Sequence, residues 1–201
     1  MAEEFFDKVY GLRNAGETRD FYDRWSQQYD DDLARAGYAT PGRIARALAG
    51  QMQDLTQPIL DFGCGTGVSG AALRDAGFTA IDGVDPAANM LDQARAKCHY
   101  RNLRVIEPGA AVPAGYAAIA AVGVIGCGAA PVSVFDQIMA ALAPGGLFAL
   151  SYNDHALEVP DYEAKLHSYT TTGKARLLVE EYGPHLPKLD INSKVYVLEK
   201  T

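Results

Sequence analysis

The chain has 201 residues, of which 48% are hydrophobic and 21% are charged, an ordinary composition for a globular protein with a sizeable core. Its formal net charge of −7 and its lack of a Lys/Arg cluster argue against nucleic acid as a partner. No apolar run approaches the roughly 20 residues of a membrane span, and the acidic N-terminus, Met1–Asp7, lacks the basic segment of a signal peptide. We therefore expect a cytoplasmic protein with no membrane partner.

Two N-terminal helices are the first predicted elements. In residues Thr18–Ala36, aromatic and leucine side chains recur at three- and four-residue steps, which is typical of a helix with one apolar face. Gly37 ends that helix, and Pro41 can begin the next one. The second helix has an apolar stripe formed by Ile44, Leu48 and Met52. We expect both helices to pack against a sheet as an N-terminal cap.

Short apolar strands then alternate with helices. The predicted strands are Pro58–Leu60, Phe78–Val84, Leu103–Ile106, Ala117–Ile125 and Leu147–Tyr152. The predicted helices between them are Val68–Arg74, Ala88–Lys97 and Val132–Leu142. This alternation favours an α/β fold with a parallel, doubly wound sheet. Near the C-terminus, two further segments can form a closing antiparallel pair, Arg176–Tyr182 and Lys194–Glu199.

A glycine-rich loop follows the first predicted strand and carries the strongest functional signal. Asp61 is followed by Gly63, Gly65 and Gly67, just before a predicted helix. Glycines in such a turn expose backbone N–H groups and let a ligand approach the main chain closely. We therefore expect a small ligand with an anionic group on this loop.

Two cofactors compete for the loop. Residues 65–70 match the dinucleotide pattern G-x-G-x-x-G, and Asp85 follows Gly65 by 20 residues, the spacing of a ribose-binding acid. Asp61 argues against a dinucleotide, because its carboxylate would repel a pyrophosphate and no Lys or Arg lies between it and Leu73. S-adenosylmethionine (SAM) fits better, since its ammonium group attracts an acid and its carboxylate can accept from the N–H groups. A NAD-dependent oxidoreductase is the alternative from another class.

Three motifs, in the order of the chain, extend this interpretation to a family. They are Asp61-Phe62-Gly63-Cys64-Gly65-Thr66-Gly67, Gly83-Val84-Asp85-Pro86-Ala87-Ala88-Asn89-Met90-Leu91 and Leu142-Ala143-Pro144-Gly145-Gly146-Leu147-Phe148. Together they resemble the class I SAM-dependent methyltransferases. The resemblance implies a Rossmann-like, doubly wound and mostly parallel seven-stranded sheet, with an antiparallel final strand and an N-terminal helical cap.

The N-terminal region narrows the resemblance. Similarity to the Williams–Beuren-region methyltransferase-like group is carried by Tyr22-Asp23-Arg24-Trp25, Tyr29-Asp30, Gly37-Tyr38-Ala39-Thr40-Pro41 and Asn153-Asp154. This match narrows the resemblance to one group of the family but does not identify the substrate. We expect a single domain that comprises a helical cap (1–57), a SAM-binding core (58–152) and an acceptor-side segment with the closing hairpin (153–201).

The resemblance also implies a set of cofactor-binding residues. Asp61 would hold the ammonium group of SAM, directly or through water, and Asp85 would accept from both ribose hydroxyls. The full set comprises Asp61, Gly63, Cys64, Gly65, Gly67, Asp85, Pro86, Met90, Gly109 and Ala110, with Tyr22 and Tyr29 from the first helix. The family often carries Gly-Asp after the third strand, whereas this chain has Gly109-Ala110. Adenine is therefore expected to bind backbone groups near Gly109, or Glu107 in a different register.

The acceptor is expected to be a small or medium-sized molecule. Trp25, Tyr152 and Asn153 are its candidate contacts, and Asp154 and His155 are the candidates for a general base or an anchor. No Asn-Pro-Pro-Tyr motif follows the fourth strand, which argues against the amino-methylating enzymes of DNA. Three cysteines and four histidines are too scattered to predict a metal site. A SAM-binding protein without catalytic activity is the second alternative, and the oligomeric state is left open.

Overall fold

The computed structural model describes residues 15–201, so Met1–Asp7, whose composition bears on targeting, lie outside the described residues. The helices are α1 (Ala15–Ala36), α2 (Thr40–Ala49), α3 (Val68–Asp75), α4 (Ala88–Ala96), α5 (Ser133–Ala141), α6 (Asp154–Leu157) and α7 (Pro160–Thr171). The strands are β1 (Ile59–Phe62), β2 (Ile81–Asp85), β3 (Asn102–Val105), β4 (Ala118–Ala121), β5 (Leu147–Asn153), β6 (Ala175–Leu186) and β7 (Ile191–Lys200). Among these helices, none is both long and apolar enough to cross a membrane.

The strands form one seven-stranded sheet in the order β3-β2-β1-β4-β5-β7-β6. Strands β1 to β5 are parallel, whereas β7 is antiparallel to both of its neighbours. The expected mostly parallel sheet with an antiparallel final strand is therefore confirmed. Because β1 lies between β2 and β4, the order of the chain reverses beside it. Ligands of open α/β sheets bind at such a switch point, beyond the carboxyl ends of the strands.

Helices cover both faces of the sheet, and alternate residues of one strand belong to opposite cores. Leu60 and Phe148 join the core cluster that contains α5, whereas Ile59 and Ala149 join the cluster that contains Ile44 of α2. This follows from the two-residue period of a β-strand, which points successive side chains to opposite faces. Full burial of such side chains is worth about 1.5–3 kcal/mol each. The sheet is thus anchored on both faces, and its carboxyl edge is left to form a site.

Helix α1 packs against the end of the C-terminal hairpin. Phe21, Trp25 and Leu33 are buried in a third cluster together with Leu186, which ends β6. The aromatic stripe predicted from the sequence is therefore packed on one side against residues more than 150 positions away. This contact holds the N-terminal helix beside the carboxyl edge of the sheet.

The segment after β5 differs from the expectation. It contains helices α6 and α7, which we did not predict, and β6 extends to Leu186 rather than ending at Tyr182. Tyr162, Leu166 and Tyr169 of α7 face the core at steps of four and three residues. That spacing was the available signal for a helix. It is weak because Leu166 is the only fully buried side chain of α7.

Candidate active site

The three loop glycines have left-handed backbones, with φ values of 72° at Gly63, 52° at Gly65 and 87° at Gly67. This region strongly favours glycine because other residues clash there. A Cβ at Gly63 would lie 2.5 Å from a side-chain carbon of Val124, and one at Gly67 would lie 3.2 Å from Tyr100. A Cβ at Gly65 would meet no protein atom within 4 Å. Gly63 and Gly67 therefore allow close packing, while Gly65 faces open space.

Asp85 ends β2 and joins the loop to the start of α4. Its Oδ2 accepts from the Gly65 N–H at 2.8 Å, and its Oδ1 accepts from the Ala87 N–H at 2.8 Å. Burial raises the pKa of Asp85 to about 6, although both N–H groups favour the charged form. Each carboxylate oxygen has a second lone pair, so Asp85 can still accept from a pair of hydroxyls.

Asp61 lies behind the loop, with no exposed surface. Its Oδ2 accepts from Ser69 Oγ at 2.6 Å and from Tyr100 Oη at 2.7 Å. Its Oδ1 has no hydrogen-bond partner among the described residues. Burial raises the pKa of Asp61 to about 6, because an ionised carboxylate in an apolar setting is costly. Asp61 is therefore buried beneath the loop and is not among the residues that line the cleft.

A cleft of about 440 Å³ opens above the loop at the carboxyl ends of β1, β2 and β4. Of the predicted cofactor contacts, its wall includes Gly63, Gly65, Asp85, Pro86, Met90, Gly109, Ala110, Tyr22 and Tyr29. It also includes residues that sequence reasoning did not select, such as Val122, Gly123, Val124, Ala130 and Gln137. The available signal for these was strand order, because loops that follow adjacent parallel strands meet at one edge.

A second, smaller cavity of about 80 Å³ adjoins the cleft. The two share Tyr22, Tyr29, Gly123 and Ala129 as lining residues. The rest of the second cavity is lined by Trp25, Leu33, Tyr38, Ile125, Gly126, Cys127, Ser151, Asn153, His185 and Leu186. It is therefore an aromatic cavity between α1, the loop after β4 and the ends of β5 and β6.

Trp25 is held in a fixed orientation in this wall. Its Nε1 donates to the buried Asp32 Oδ2 at 2.9 Å, and its ring meets Tyr29 edge-on with centroids 4.7 Å apart. The hydrogen bond satisfies the one polar atom of the indole.

Polar contacts connect α1 to the glycine-rich loop that follows β1. Asp30 accepts from Thr66 Oγ1 at 2.5 Å and also pairs with Lys97, which follows α4. Asp23 accepts from the Asn89 N–H at 3.0 Å, in the first turn of α4. These contacts make the position of α1 depend on the loop that forms the floor of the cleft. Since α1 also lines both cavities, the loop influences the walls of both.

A family model described as a methyltransferase domain matches residues 22–188 of the chain. The chain belongs to the class I SAM-dependent methyltransferase family. Human methyltransferase-like protein 27 is 32% identical over 165 residues, which are 78% of this chain and 66% of the human protein. This chain thus spans about two thirds of the length of that relative.

Solved structures show the same fold at low identity. Magnesium protoporphyrin IX methyltransferase from Synechocystis PCC 6803, with bound SAM, has a TM-score of 0.59 at 14% identity, over 100% of this chain and 92% of that one. A Haloferax volcanii chain from a complex with a methyltransferase activator has a TM-score of 0.66 at 15% identity, over 91% and 97% of the two chains.

Family membership decides between the two cofactors that the loop sequence allowed. The expected cofactor is confirmed as SAM, and the dinucleotide pattern at residues 65–70 reflects a glycine turn that both kinds of protein use. Asp61, Cys64 and Gly67 of this methyltransferase lie behind the cleft and support its wall from within. The part of the chain from residue 15 onward holds no group of three or more side chains suited to a metal ion.

The structure places two of the five residues proposed for the acceptor site beside a cavity. Trp25 and Asn153 line the second cavity, and Asn153 Oδ1 also accepts from the Ala156 N–H at 3.0 Å. Within the described residues, neither cavity is lined by Tyr152, Asp154 or His155.

Each of these three has another environment. Tyr152 is fully buried, with its ring 5.5 Å from Tyr162 and 5.7 Å from Tyr196. Asp154 accepts from Tyr182 Oη at 2.9 Å and from the Asn192 N–H at 2.7 Å. His155 lies on the short helix α6.

His185 and Tyr38 are lining residues that the sequence did not indicate. No local motif marks either residue. His185 belongs to a strand that we predicted to end earlier, and Tyr38 was noted only as part of the family resemblance. Both reach the cavity through long-range packing of β6 against α2.

Proposed function

We propose that this protein binds SAM in the cleft and transfers its methyl group to a small or medium-sized acceptor in the second cavity. The observation that supports this most directly is the shared wall, in which Tyr22, Tyr29, Gly123 and Ala129 line both spaces. A donor in the larger space and an acceptor in the smaller one would face each other across these residues. A cleft of about 440 Å³ is within the range of small-molecule cofactor sites.

The residues of the cleft suit the parts of SAM. Gly65 leaves free space on the loop, where the backbone N–H groups can donate to the methionine carboxylate. Asp85 would accept from the ribose hydroxyls, and Met90 offers an apolar surface for adenine. Gly109 and Ala110, in the turn after β3, would hold the adenine edge through backbone groups. Asp61 would attract the ammonium group through Oδ1, which has no partner among the described residues, directly or through water.

The sulfonium methyl group of SAM is already activated, so the protein need only align the acceptor and exclude water. We assign that task to α1, which contributes Tyr22, Trp25 and Tyr29 to the walls and is tied to the loop through Asp30. Residues 1–57 would thus act as the cap, 58–152 as the cofactor core and 153–201 as the acceptor side.

The test is transfer of label from methyl-labelled SAM to a small-molecule extract, with two variants that separate the cavities. Gly126 lines only the second cavity, and a Cβ there would meet Ala156 at an ordinary 3.7 Å. We expect Gly126→Leu to fill that cavity and abolish transfer while SAM affinity, measured by calorimetry, stays within about two-fold. Gly65→Val should abolish both.

Each contrary result has a distinct meaning. Full transfer by Gly126→Leu would show that the acceptor binds elsewhere. SAM binding by the wild type without transfer to any fraction of the extract would identify a SAM-binding protein without catalytic activity.

A further inference from the structure

His185 is a buried residue near the end of β6 that borders the second cavity. Its backbone carbonyl accepts from the Ala39 N–H at 2.9 Å, and its ring meets Tyr38 edge-on, with centroids 5.1 Å apart. The residue is therefore held through its backbone and through a contact of its ring with Tyr38. Neither the family resemblance nor any local motif pointed to this residue.

A chain of hydrogen bonds leads from Arg43 to the imidazole. Arg43 Nη1 donates to Ser193 Oγ at 3.0 Å, Ser193 Oγ lies 3.0 Å from Thr40 Oγ1, and Thr40 Oγ1 lies 2.8 Å from His185 Nδ1. All four side chains are at least nine-tenths buried. Their hydrogens must therefore be directed to one another, since water is excluded.

The direction of these bonds follows from Arg43. A guanidinium can only donate, so Ser193 Oγ accepts from it. The Ser193 hydroxyl then donates to Thr40 Oγ1, and the Thr40 hydroxyl donates to His185 Nδ1. The opposite direction would leave the Ser193 hydroxyl without an acceptor in the described network. Nδ1 is thus the accepting nitrogen, and in a neutral ring Nε2 carries the proton.

The neighbouring charges are consistent with a neutral ring. Burial lowers the pKa of His185 to about 4, Asp154 acts in the opposite direction, and Arg43 and His155 lower it further. At neutral pH the imidazole therefore offers an N–H donor and no positive charge.

The lining of the cavity indicates what this donor would meet. Among the described residues, those that line the second cavity include no Asp, Glu, Lys or Arg. A charged group buried there would lose its hydration without gaining a partner, which is costly. The aromatic part of the lining, which includes Tyr29, instead favours a flat apolar body.

We propose that His185 is a positioning residue of the acceptor site, donating from Nε2–H to an oxygen or ring nitrogen of an uncharged, planar acceptor. This inference rests on the proposed function, because it assumes that the second cavity takes the acceptor. His185 would fix the orientation of the acceptor and reject anions. It would not act as the general base, since the nitrogen that could accept a proton is occupied by Thr40.

Three matched probes test the proposal on the 201-residue protein saturated with S-adenosylhomocysteine. Acetophenone is neutral and has an acceptor oxygen, α-methylstyrene replaces that oxygen by CH₂, and benzoate adds a charge. We expect acetophenone to bind about five-fold or more tightly than α-methylstyrene, as one hydrogen bond allows, and benzoate to bind most weakly. Binding is followed by NMR, including the ¹⁵N signals of the His185 ring.

Two pairs of variants identify the atom responsible. His185→Gln keeps an N–H donor near the position of Nε2 and should keep the preference for acetophenone, whereas His185→Phe should lose it. Thr40→Ser keeps the hydroxyl and should keep the ¹⁵N pattern of an Nε2-protonated ring. Thr40→Val should allow the other tautomer. A purely structural role for His185 would not produce rescue by glutamine.

The proposal is overturned if acetophenone produces no saturable shifts, if it shows no preference over α-methylstyrene, or if His185→Gln and His185→Phe lose the preference equally. It is also overturned if the ¹⁵N signals place the proton on Nδ1. If the probes bind as expected but label from SAM reaches no acceptor, the proposed function fails instead.

Discussion

The two adjoining cavities of this methyltransferase differ in polarity. The larger cleft, where we propose that SAM binds, is lined by charged residues that include Asp85, Glu107 and Arg19. The second cavity is bordered by aromatic rings and by neutral polar groups such as Ser151 and His185. A cofactor with ammonium, carboxylate and sulfonium groups needs charges and N–H dipoles at defined positions, whereas a neutral ligand needs shape and one or two hydrogen bonds. The contrast supports our proposal that the second cavity selects its occupant by excluding charge.

The two cavities also differ in how the chain builds them. Three turns that each follow one strand, near Gly65, Asp85 and Gly109, supply much of the cofactor cleft. The second cavity requires α1, β5 and β6, which are distant in the sequence. We expect substitutions in the first to act on one ligand, and substitutions in the second to act through packing as well.

The largest expected effect on SAM binding is at Gly65, which lines the cleft but not the second cavity. Gly65→Val should weaken SAM binding by about 100-fold or more, because the branched side chain would occupy the open space of the cleft. Gly145→Val is the matched control, since Gly145 also has a positive φ, 83°, and an unobstructed Cβ position in the turn before β5. Calorimetric titration should show near-normal affinity in the control. A folded Gly65→Val protein that binds SAM normally would contradict the site.

Removal of the Asp85 carboxylate is the next largest effect. Asp85→Ala should weaken SAM binding by about 1.5–3 kcal/mol, the range for hydrogen bonds to a charged group. Asp82→Ala is the control, because Asp82 is on the same strand but binds Arg101, Asn102 and Tyr116 outside the cleft. Circular dichroism would establish that both variants are folded. Equal affinities in the two variants would remove Asp85 from the cofactor site.

The free energy of unfolding should change with pH in opposite directions through two residues, Asp61 behind the cleft and His185 at the second cavity. Asp61, behind the cleft, has a pKa raised from 3.8 to about 6, so the folded state binds a proton more tightly than the unfolded state. Its contribution to the free energy of unfolding should rise by about 2 kcal/mol as pH falls from about 6.5 to 4. Denaturant titrations of wild type and Asp61→Asn across this range would measure the difference.

His185 provides the contrasting case. Its pKa is lowered from 6.5 to about 4, so the unfolded state binds the proton more tightly and stability is lost over the same fall in pH. His185→Gln should remove that loss, whereas Asp61→Asn should remove the gain. The same sign in both variants would contradict the assigned environments.

The smallest effect concerns the helix that serves both cavities. Asp30→Ala removes the acceptor for Thr66 and the partner of Lys97, and should weaken SAM binding by about three- to five-fold. Asp31→Ala changes the adjacent exposed carboxylate and should leave affinity unchanged. Equal behaviour of the two variants in calorimetry would show that the loop does not depend on this contact.

The features of the site that depend on the local backbone could be predicted from the sequence. The glycine turn after Asp61 and the acid at position 85 could be recognised because positive φ angles and a carboxylate at a strand end leave direct traces in residue type. The direction in which each residue of the loop faces could not be predicted from the sequence. Nothing in the local sequence indicates that Gly65 faces the cleft while Asp61 and Cys64 face the interior.

The sequence by itself determined the alternation of strands and helices up to β5, the glycine loop and the class of cofactor, because each depends on short-range periodicity or on a few adjacent residues. Only the tertiary structure decided which polar residues reach the second cavity. Asn153 lines it and its neighbour Tyr152 does not, because successive side chains of a strand point to opposite faces. His185 enters the cavity because β6 pairs with β7 and packs against α2, a contact between residues 145 positions apart. No pattern within a short window carries that information.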